Sequence, residues 1–255
     1  MVLQEIWSWV LTLDLFFYRS PFFFLLLAQC TQFFGCCFFS CVDLWRERVP
    51  WRLVWTNAVP SALGFAPFIA LWYLDILIIE KELPTVAPTS VAFFTQLVLC
   101  GVCGDFMHYW THRYLHMNKT LRIHVHSVHH NYEGSLYSWV GMQVHPLEVA
   151  MITVAIYLPF LLFAHPMVLW TFAFFATMNA TFAHSGYEGG LASLGLPHAL
   201  TSSDHQLHHD INATRNYGNI LRVWDYMFKT YGVNTKHPTL SLWDFAGSSS
   251  KVATE

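Results

Sequence analysis

Long apolar segments separated by short polar ones dominate the first part of the chain. No Asp, Glu, Lys or Arg occurs from Ser20 to Val42, from Leu53 to Leu74, or from Leu83 to Gly104. A helix of about 20 mostly apolar residues crosses a bilayer, so these stretches predict three membrane spans. The third helix is predicted to begin after Pro88, since proline is poorly tolerated inside a helix.

A fourth apolar stretch, Val149–Ser185, is too long for one span and is interrupted at His165-Pro166. It predicts a membrane hairpin of two short helices, Val149–Ala164 and Met167–Ala183. Residues 1–19 are predicted to form an amphipathic lead-in at the membrane interface. Its interface aromatics would be Trp7, Trp9 and Tyr18.

Composition supports a membrane protein. Hydrophobic residues make up 55% of the 255 residues and charged residues only 11%, against about 25% charged in soluble domains. The predicted fold class is therefore all-α: a polytopic membrane protein with about four or five transmembrane helices and a cytosolic helical, histidine-rich metal-binding cap. A formal net charge of −3 without a basic stripe argues against nucleic-acid binding.

Three regions are predicted along the chain: a membrane anchor (1–104), a catalytic region (105–245) with the hairpin inserted at 149–185, and a flexible tail (246–255). In this arrangement every Lys and Arg except Arg19 and Lys81 lies on one side of the membrane. The positive-inside rule places that side, with all clustered histidines, in the cytoplasm. The sequons would then carry no glycan; they lie at Asn118, Asn179 and Asn212.

All 15 histidines lie after residue 107, and most of them form three clusters. The clusters are HYWTH with His108 and His112, HSVHH with His126, His129 and His130, and HQLHH with His205, His208 and His209. Imidazole is the commonest metal ligand at neutral pH, and tetrahedral zinc takes only four ligands. The clusters predict two metals, or one metal with an unusually rich shell. His145 and His184 are further candidates.

The spacing predicts that the clusters converge. His108 and His112 would share one face of a helix that continues from the third span, because residues four apart are neighbours on a helix. His116 extends this stripe, either as a group behind the ligands or as a surface residue. Both H-x-x-H-H clusters are predicted to be helical. The remaining histidines are predicted not to bind metal: His124, His165, His198 and His237.

Four acidic residues near the clusters are predicted to orient the ligands. They are Asp105, Glu148, Asp204 and Asp210. A metal-bound histidine usually donates its other ring N–H to a carboxylate or a carbonyl. The alternative is that these side chains only supply charge at helix ends.

Several common catalytic signatures are absent from the sequence. It contains no H-E-x-x-H, no glycine-rich phosphate loop and no G-x-S-x-G elbow. All-imidazole shells suit iron, copper, zinc or nickel. Two metals beside a membrane, with few thiolates, favour oxygen chemistry on iron.

The order H-x-x-x-H, H-x-x-H-H, H-x-x-H-H after several apolar spans resembles the fatty acid hydroxylase superfamily, which includes sterol desaturases and sterol methyl oxidases. The resemblance covers residues 104–231. Further matching segments are D-x-x-H-Y-W-x-H-R at 105–113, H-P-L-E at 145–148, A-H-S-G-Y at 183–187, N-Y-G at 216–218 and W-D-Y-M-F at 224–228. The H-S-G-Y element is more similar to the sterol-oxidising branch than to the fatty acyl 2-hydroxylases, which have a further histidine where this chain has Ala180.

The resemblance implies a membrane-bound non-haem di-iron oxygenase that hydroxylates or desaturates a lipid C–H bond, with sterol biosynthesis as the expected setting. Dioxygen would be the co-substrate. Two iron ions would be held by His108, His112, His126, His129, His130, His184, His205, His208 and His209. His145 or a water would complete the shell of one metal.

The resemblance also implies partners and a location. No haem-binding domain is visible in the chain, so electrons would come from a separate donor, such as a b5-type cytochrome with its reductase. The location would be the endoplasmic reticulum membrane in a eukaryote.

Three alternatives stay open on the sequence alone. A fatty acyl or sphingoid-base hydroxylase would share the site and differ in its substrate. A metal transporter would need ionisable residues within its spans, which hold almost none here. A catalytically inactive lipid sensor would not require three complete histidine clusters.

Overall fold

The computed structural model describes residues 1–13, 23–46, 48–52, 54–56, 83–131, 136–210, 214–234 and 240–241. Nearly all regular structure in this part of the chain is helical, which confirms the predicted all-α class. Four of the described helices are long and apolar enough to cross a membrane. Most of the predicted second span and the predicted tail lie outside the described residues, as do Tyr18, Asn212 and His237.

The first long helix confirms the first predicted span. Helix α1 (Val2–Thr12) precedes it, and α2 (Phe23–Trp45) runs slightly past the predicted end at Val42. The single charged residue of α2, Asp43, lies in its last turn and is buried. The end of this helix is therefore the part that meets the polar site described below.

Helix α3 (Ser90–Met117) carries the first histidine cluster, as predicted. Thr89 caps it by accepting a hydrogen bond from the Ala92 N–H at 3.1 Å. Its 28 residues give a length of about 42 Å, whereas the apolar layer of a bilayer is about 30 Å thick. Helix α3 is therefore longer than a helix needs to be to cross that layer. Asn118 ends α3 and caps the short helix α4 (Lys119–His124).

The predicted hairpin is confirmed as α5 (Pro146–Phe163) and α6 (Pro166–Ser185). A histidine precedes each of these helices and caps it. The Nδ1 atoms of His145 and His165 accept the N–H groups of Leu147 and Met167. Proline at the first helical position costs little, because its missing N–H would have no partner there. The two His-Pro pairs thus fix where both helices begin.

Close helix contacts bring the functional ends of the bundle together. Helices α3 and α5 approach so closely that a Cβ on Gly104 would overlap the carbonyl oxygen of Ile156. Deeper in the apolar core, Phe160 of α5 stacks on Phe172 of α6 with ring centroids 4.1 Å apart. The C-terminal ends of α2, α3 and α6 and the N-terminal end of α5 consequently lie at one end of the bundle.

Helix α1 packs at the opposite end, and one prediction about it is wrong. Trp7 is fully buried within the protein, so its ring does not face lipid headgroups as an interface aromatic would. Its Nε1–H donates to the Pro84 carbonyl at 2.6 Å, and its ring meets that of His165 edge-on, with centroids 4.8 Å apart. Trp9 is 62% exposed, because residues two apart lie on different faces of a helix.

The chain after α6 covers the histidine end of the bundle. It contains β1 (Tyr187–Glu188), α7 (Ser202–His208), α8 (Val223–Met227) and β2 (Leu240–Ser241). The two strands form a parallel pair of two residues each, which the sequence analysis did not predict. Short 3-10 turns occur at His126–Val128, Ser138–Met142 and Gly190–Ala192.

Candidate metal centre

The histidine stripe on α3 is buried along its whole length. His108, His112 and His116 are between 5% and 9% exposed. Successive ring centroids are 5.3 and 5.2 Å apart, as expected for residues four apart on a helix. The surface alternative for His116 is therefore wrong.

The second cluster is not α-helical, contrary to prediction. Helix α4 ends at His124, and a 3-10 turn follows at His126–Val128. The N–H groups of His129 and His130 both bond to the carbonyl of His126. The tighter turn leaves His126 and His129 buried and His130 half-buried, all facing the interior.

The third cluster is helical, as predicted. Thr201 and Asp204 form a capping box at the start of α7, in which each side chain accepts from the other's backbone N–H. His205 and His208 lie within α7, and His209 is its C-cap. The cap fixes where the helix begins and so determines the direction in which these imidazoles point.

Among the described residues, nine histidines converge in two groups. Within each group, one ring nitrogen of every member lies within 4.8 Å of those of the others. The first group comprises His112, His116, His126, His130 and His208; the second group comprises His129, His184, His205 and His209. Each H-x-x-H-H cluster divides between the groups. His126 and His130 belong to the first group and His129 to the second. In the later cluster, His205 and His209 belong to the second group and His208 to the first. The described residues thus offer two separate candidate metal sites.

Hydrogen bonds at the outer edge fix the tautomers of four imidazoles. The Nδ1 atoms of His112, His184 and His208 bond to the carbonyls of Tyr217, Ala180 and Arg215 at 3.0, 2.8 and 2.9 Å. His126 Nδ1 bonds to Glu148 Oε1 at 2.8 Å. Carbonyls only accept hydrogen bonds, so Nδ1 carries the proton in the first three rings, and Glu148 in its ionised form requires the same of His126. In a neutral imidazole the Nε2 atom is then an unprotonated lone pair.

The Nε2 atoms face one another across each group. His126 Nε2 and His208 Nε2 stand 2.7 and 3.2 Å from His116 Nε2. In the second group, His184 Nε2 lies 2.8 Å from His205 Nε2 and 3.3 Å from His129 Nε2. Nitrogens about 2.1 Å from a shared metal stand about 3.0 Å apart at 90° and about 3.4 Å apart at the tetrahedral angle. The observed separations are close to those of nitrogens that share one cation, and each group could hold a metal ion.

The environment keeps these rings neutral. Burial lowers the pKa of His126 to about 4. Burial, together with the neighbouring imidazoles, lowers the pKa of His129, His130 and His208 well below the usual value. Burial and the neighbouring imidazoles also lower the pKa of His205 and His209 well below the usual value. Metal ligation requires neutral imidazole, so these rings are already in the protonation state that binds a metal.

Comparison with known proteins gives the family. The sequence profile described as fatty acid hydroxylase matches residues 97–230. The chain belongs to the fatty acid hydroxylase family. The matched segment begins in α3 and ends after α8, and it contains both histidine groups.

Several curated proteins are similar to this chain in sequence. Methylsterol monooxygenase 1 of Danio rerio is 32% identical over 54% of this chain and 47% of its own length. The cholesterol 25-hydroxylase-like protein of Caenorhabditis briggsae is 26% identical over 73% of this chain and 68% of its own. A very-long-chain aldehyde decarbonylase of Oryza sativa subsp. indica is 33% identical over 56% and 54%.

The chain spans about half the length of the methylsterol monooxygenase that it matches. No solved structure matches the chain.

Two predicted ligands lie outside both groups. His108 is buried beside His112, and its Nδ1 has no hydrogen-bond partner among the described residues; its ligand role stays a prediction. His145 caps α5 through its Nδ1. It is therefore occupied at the helix start and does not complete the second group, which reaches four members without it.

The four acidic residues take different roles. Glu148 accepts from His126, as expected of a carboxylate that orients a ligand. Asp105 does not contact a histidine in the described structure: it accepts the N–H groups of Ile220 and Leu221 and the indole N–H of Trp224. Asp204 caps α7 and pairs with Arg222 at 3.4 Å. The orienting role of Asp210 stays a prediction.

Backbone carbonyls near the C-terminus do part of the work that the sequence analysis assigned to carboxylates. Asn216 adopts a left-handed conformation with φ of 57°, and Asp225 accepts the N–H groups of Tyr217 and Gly218. This loop directs the carbonyls of Arg215 and Tyr217 at two imidazoles. The N-Y-G and W-D-Y-M-F segments were the available signal, although a sequence does not show where a carbonyl points.

Proposed function

We propose that this chain is a membrane-bound non-haem di-iron oxygenase that hydroxylates or desaturates a lipid C–H bond, with a sterol as its substrate. The observation that carries the proposal is the pair of buried histidine groups at one end of an apolar helix bundle. Relatives named as a methylsterol monooxygenase and a cholesterol 25-hydroxylase-like protein support the sterol class.

The first group offers five imidazoles and the second group four. Five nitrogens exceed the tetrahedral set that zinc prefers in structural sites, and imidazole suits iron. The two histidine groups would hold iron, which would supply the chemistry for activating dioxygen and removing hydrogen from an unactivated C–H bond. The protein's own part is to hold each Nε2 inward through outward Nδ1 bonds, as Glu148 does for His126, and to exclude water by burial.

An apolar groove supports access from the bilayer. A cavity of about 310 Å³ lies between α3 and α5 and is lined only by apolar and thiol side chains, including Leu99, Cys103, Leu162 and Phe163. Its lining includes Met107, which immediately precedes His108. A hydrocarbon skeleton entering between these helices would thus approach the histidine end without crossing water.

Electrons are proposed to come from a separate carrier, such as a b5-type cytochrome with its reductase, at the cytoplasmic face of the endoplasmic reticulum. Arg122 and Arg215 are exposed near the histidine clusters. An acidic donor would be attracted to such residues.

An acyl chain is the second candidate substrate, because the relative from Oryza sativa is named as a very-long-chain aldehyde decarbonylase. Sterol and lipid mass spectrometry of cells that express the chain separates the candidates. A sterol gaining one oxygen or losing two hydrogens supports the proposal, whereas the same change on an acyl or sphingoid chain moves the assignment to the second candidate.

A matched pair of variants ties this chemistry to the site. His129→Ala removes a buried member of the second group and is expected to abolish turnover and lower the iron content of the purified protein. His124→Ala removes an exposed histidine of the same segment and is expected to leave both unchanged. Full turnover by His129→Ala would refute the metal assignment.

A further inference from the structure

A buried ion pair joins the end of α2 to the site. Arg48 Nη1 lies 2.8 Å from Asp43 Oδ1, and the two residues are only 5% and 1% exposed. Removing two charges from water is costly unless further hydrogen bonds satisfy them. Both residues precede the segment matched by the family profile, which begins at residue 97. The partners of Arg48 therefore indicate what the pair does.

The remaining Arg48 donors hold the turn that follows His184. Nη1 donates to the Ser185 carbonyl at 2.9 Å, and the Tyr187 hydroxyl donates to Asp43 at 2.8 Å. Gly186, between them, has a φ of +76°, and a Cβ at this position would overlap the guanidinium. The H-S-G-Y segment thus forms a turn that fits around one arginine, directly after a member of the second group.

The same arginine is linked to α7. Its Nη2 donates to the carbonyl of Leu136, and the Leu136 N–H donates to Gln206 Oε1 at 2.8 Å. Gln206 lies between His205 and His208 in α7. The guanidinium is a rigid, planar fork, so it holds the His184 turn and the α7 side of the site in one fixed relation.

The second group has few other supports. The Nδ1 atoms of His129, His205 and His209 are buried without a hydrogen-bond partner among the described residues. In the first group, by contrast, Nδ1 bonds hold His112, His126 and His208. The orientation of the second group consequently depends more on how its backbone segments are held.

We propose that Arg48 is a positioning residue for the second metal: it fixes the His184 turn and α7 so that His129, His184, His205 and His209 meet. The inference rests on the proposed function, in that both groups bind metal. It predicts that a substitution of Arg48 weakens the binding of the second metal selectively and leaves the first metal bound.

The test measures iron per chain by mass spectrometry after reconstitution of the purified protein with ferrous iron, followed by competition with a chelator. Arg48→Met removes every donor. Arg48→Lys keeps the positive charge beside Asp43, and it therefore guards the test against a variant that simply fails to fold. Its ammonium group cannot reach both the Ser185 and the Leu136 carbonyls. Each variant is expected to lower the affinity for one of the two irons by about 10- to 100-fold, which is the usual effect of losing a residue that supports a metal ligand. Arg52→Met, at an exposed arginine, is the matched control and should retain both.

Double variants identify which iron is weakened. Adding His129→Ala to Arg48→Lys should release the weakened iron and leave the other iron bound, because both changes affect the second group. Adding His130→Ala should remove the remaining iron. Retention of two tightly bound irons by both Arg48 variants, or equal weakening of both irons in Arg48→Lys, would overturn the inference. A wild-type chain that binds no iron would instead overturn the proposed function, and this inference with it.

Discussion

At the scale of single residues, the outward nitrogen of each imidazole determines what its inward nitrogen does. His112 and His126 have Nδ1 fixed by a carbonyl and a carboxylate, so Nε2 faces the centre. His145 is the contrasting case, because its Nδ1 accepts a backbone N–H at a helix start. The nearest hydrogen-bond partner of a histidine therefore determines whether its lone pair faces a histidine group or a helix start.

His116 and His145 provide a test at this scale. His116→Ala is expected to weaken the metal of the first group by about tenfold or more, since its Nε2 lies among the converging nitrogens. His145→Ala is expected to leave iron content unchanged and to cost about 1 kcal/mol of stability through the lost cap. Iron content and thermal unfolding of the purified variants measure both effects. Unchanged iron affinity in His116→Ala would remove it from the ligand set.

At the scale of elements, helix contacts determine where the histidine stripe stands. Helix α3 meets α5 at Gly104, one turn before His108, with the backbone of Ile156 against the glycine. Small residues permit this kind of close approach between membrane helices. The depth of the histidines relative to Glu148 at the start of α5 depends on it.

Two glycines of α3 allow a matched comparison. Gly104→Ala is expected to cost about 1–3 kcal/mol, the usual effect of overpacking, and to lower iron content, because the Cβ would press on a carbonyl that cannot move aside. Gly101→Ala places its Cβ 3.5 Å from the Phe172 ring, an ordinary contact, and should be tolerated. Thermal unfolding in detergent measures both, and equal behaviour of the two variants would contradict the close approach.

At the scale of the whole molecule, the metal groups join distant segments. Their members come from α3, the 3-10 turn, α6 and α7, and span His112 to His209. Metal binding and folding are linked whenever the unfolded chain lacks the site. The histidine end of the bundle should therefore depend on metal for its stability.

Chelation tests this linkage. Removing iron present at about 100 times its Kd should cost about 2.7 kcal/mol for each independent site, which is measured as a lower midpoint of thermal unfolding. The double variant His129→Ala/His130→Ala, which disrupts both groups, should show little response to the chelator. A wild-type midpoint that does not change on iron removal would contradict the link between metal and fold.

The helices were largely predictable from the sequence, because their signals are local. A run without charges predicted α2, Pro88 marked the start of α3, and the His165-Pro166 break divided the hairpin. The second cluster was predicted wrongly as helix, since His-x-x-His-His spacing suits a 3-10 turn followed by one residue as well as an α-helix. Trp7 was misplaced because its burial depends on Pro84 and His165, which are distant along the chain.

The sequence by itself determined the class of protein and the ligand types, because hydropathy and histidine spacing are properties of neighbouring residues. Only the tertiary structure decided how the ligands divide. It separated His129 from His126 and His130, brought His116 into the first group and left His108 beside it. It also showed that Asp105 holds the C-terminal segment while Arg48, far from every histidine in sequence, holds the turn after His184. These outcomes depend on hydrogen bonds between residues far apart along the chain, such as Arg48 and Ser185, which are 137 positions apart. No local pattern specifies such contacts.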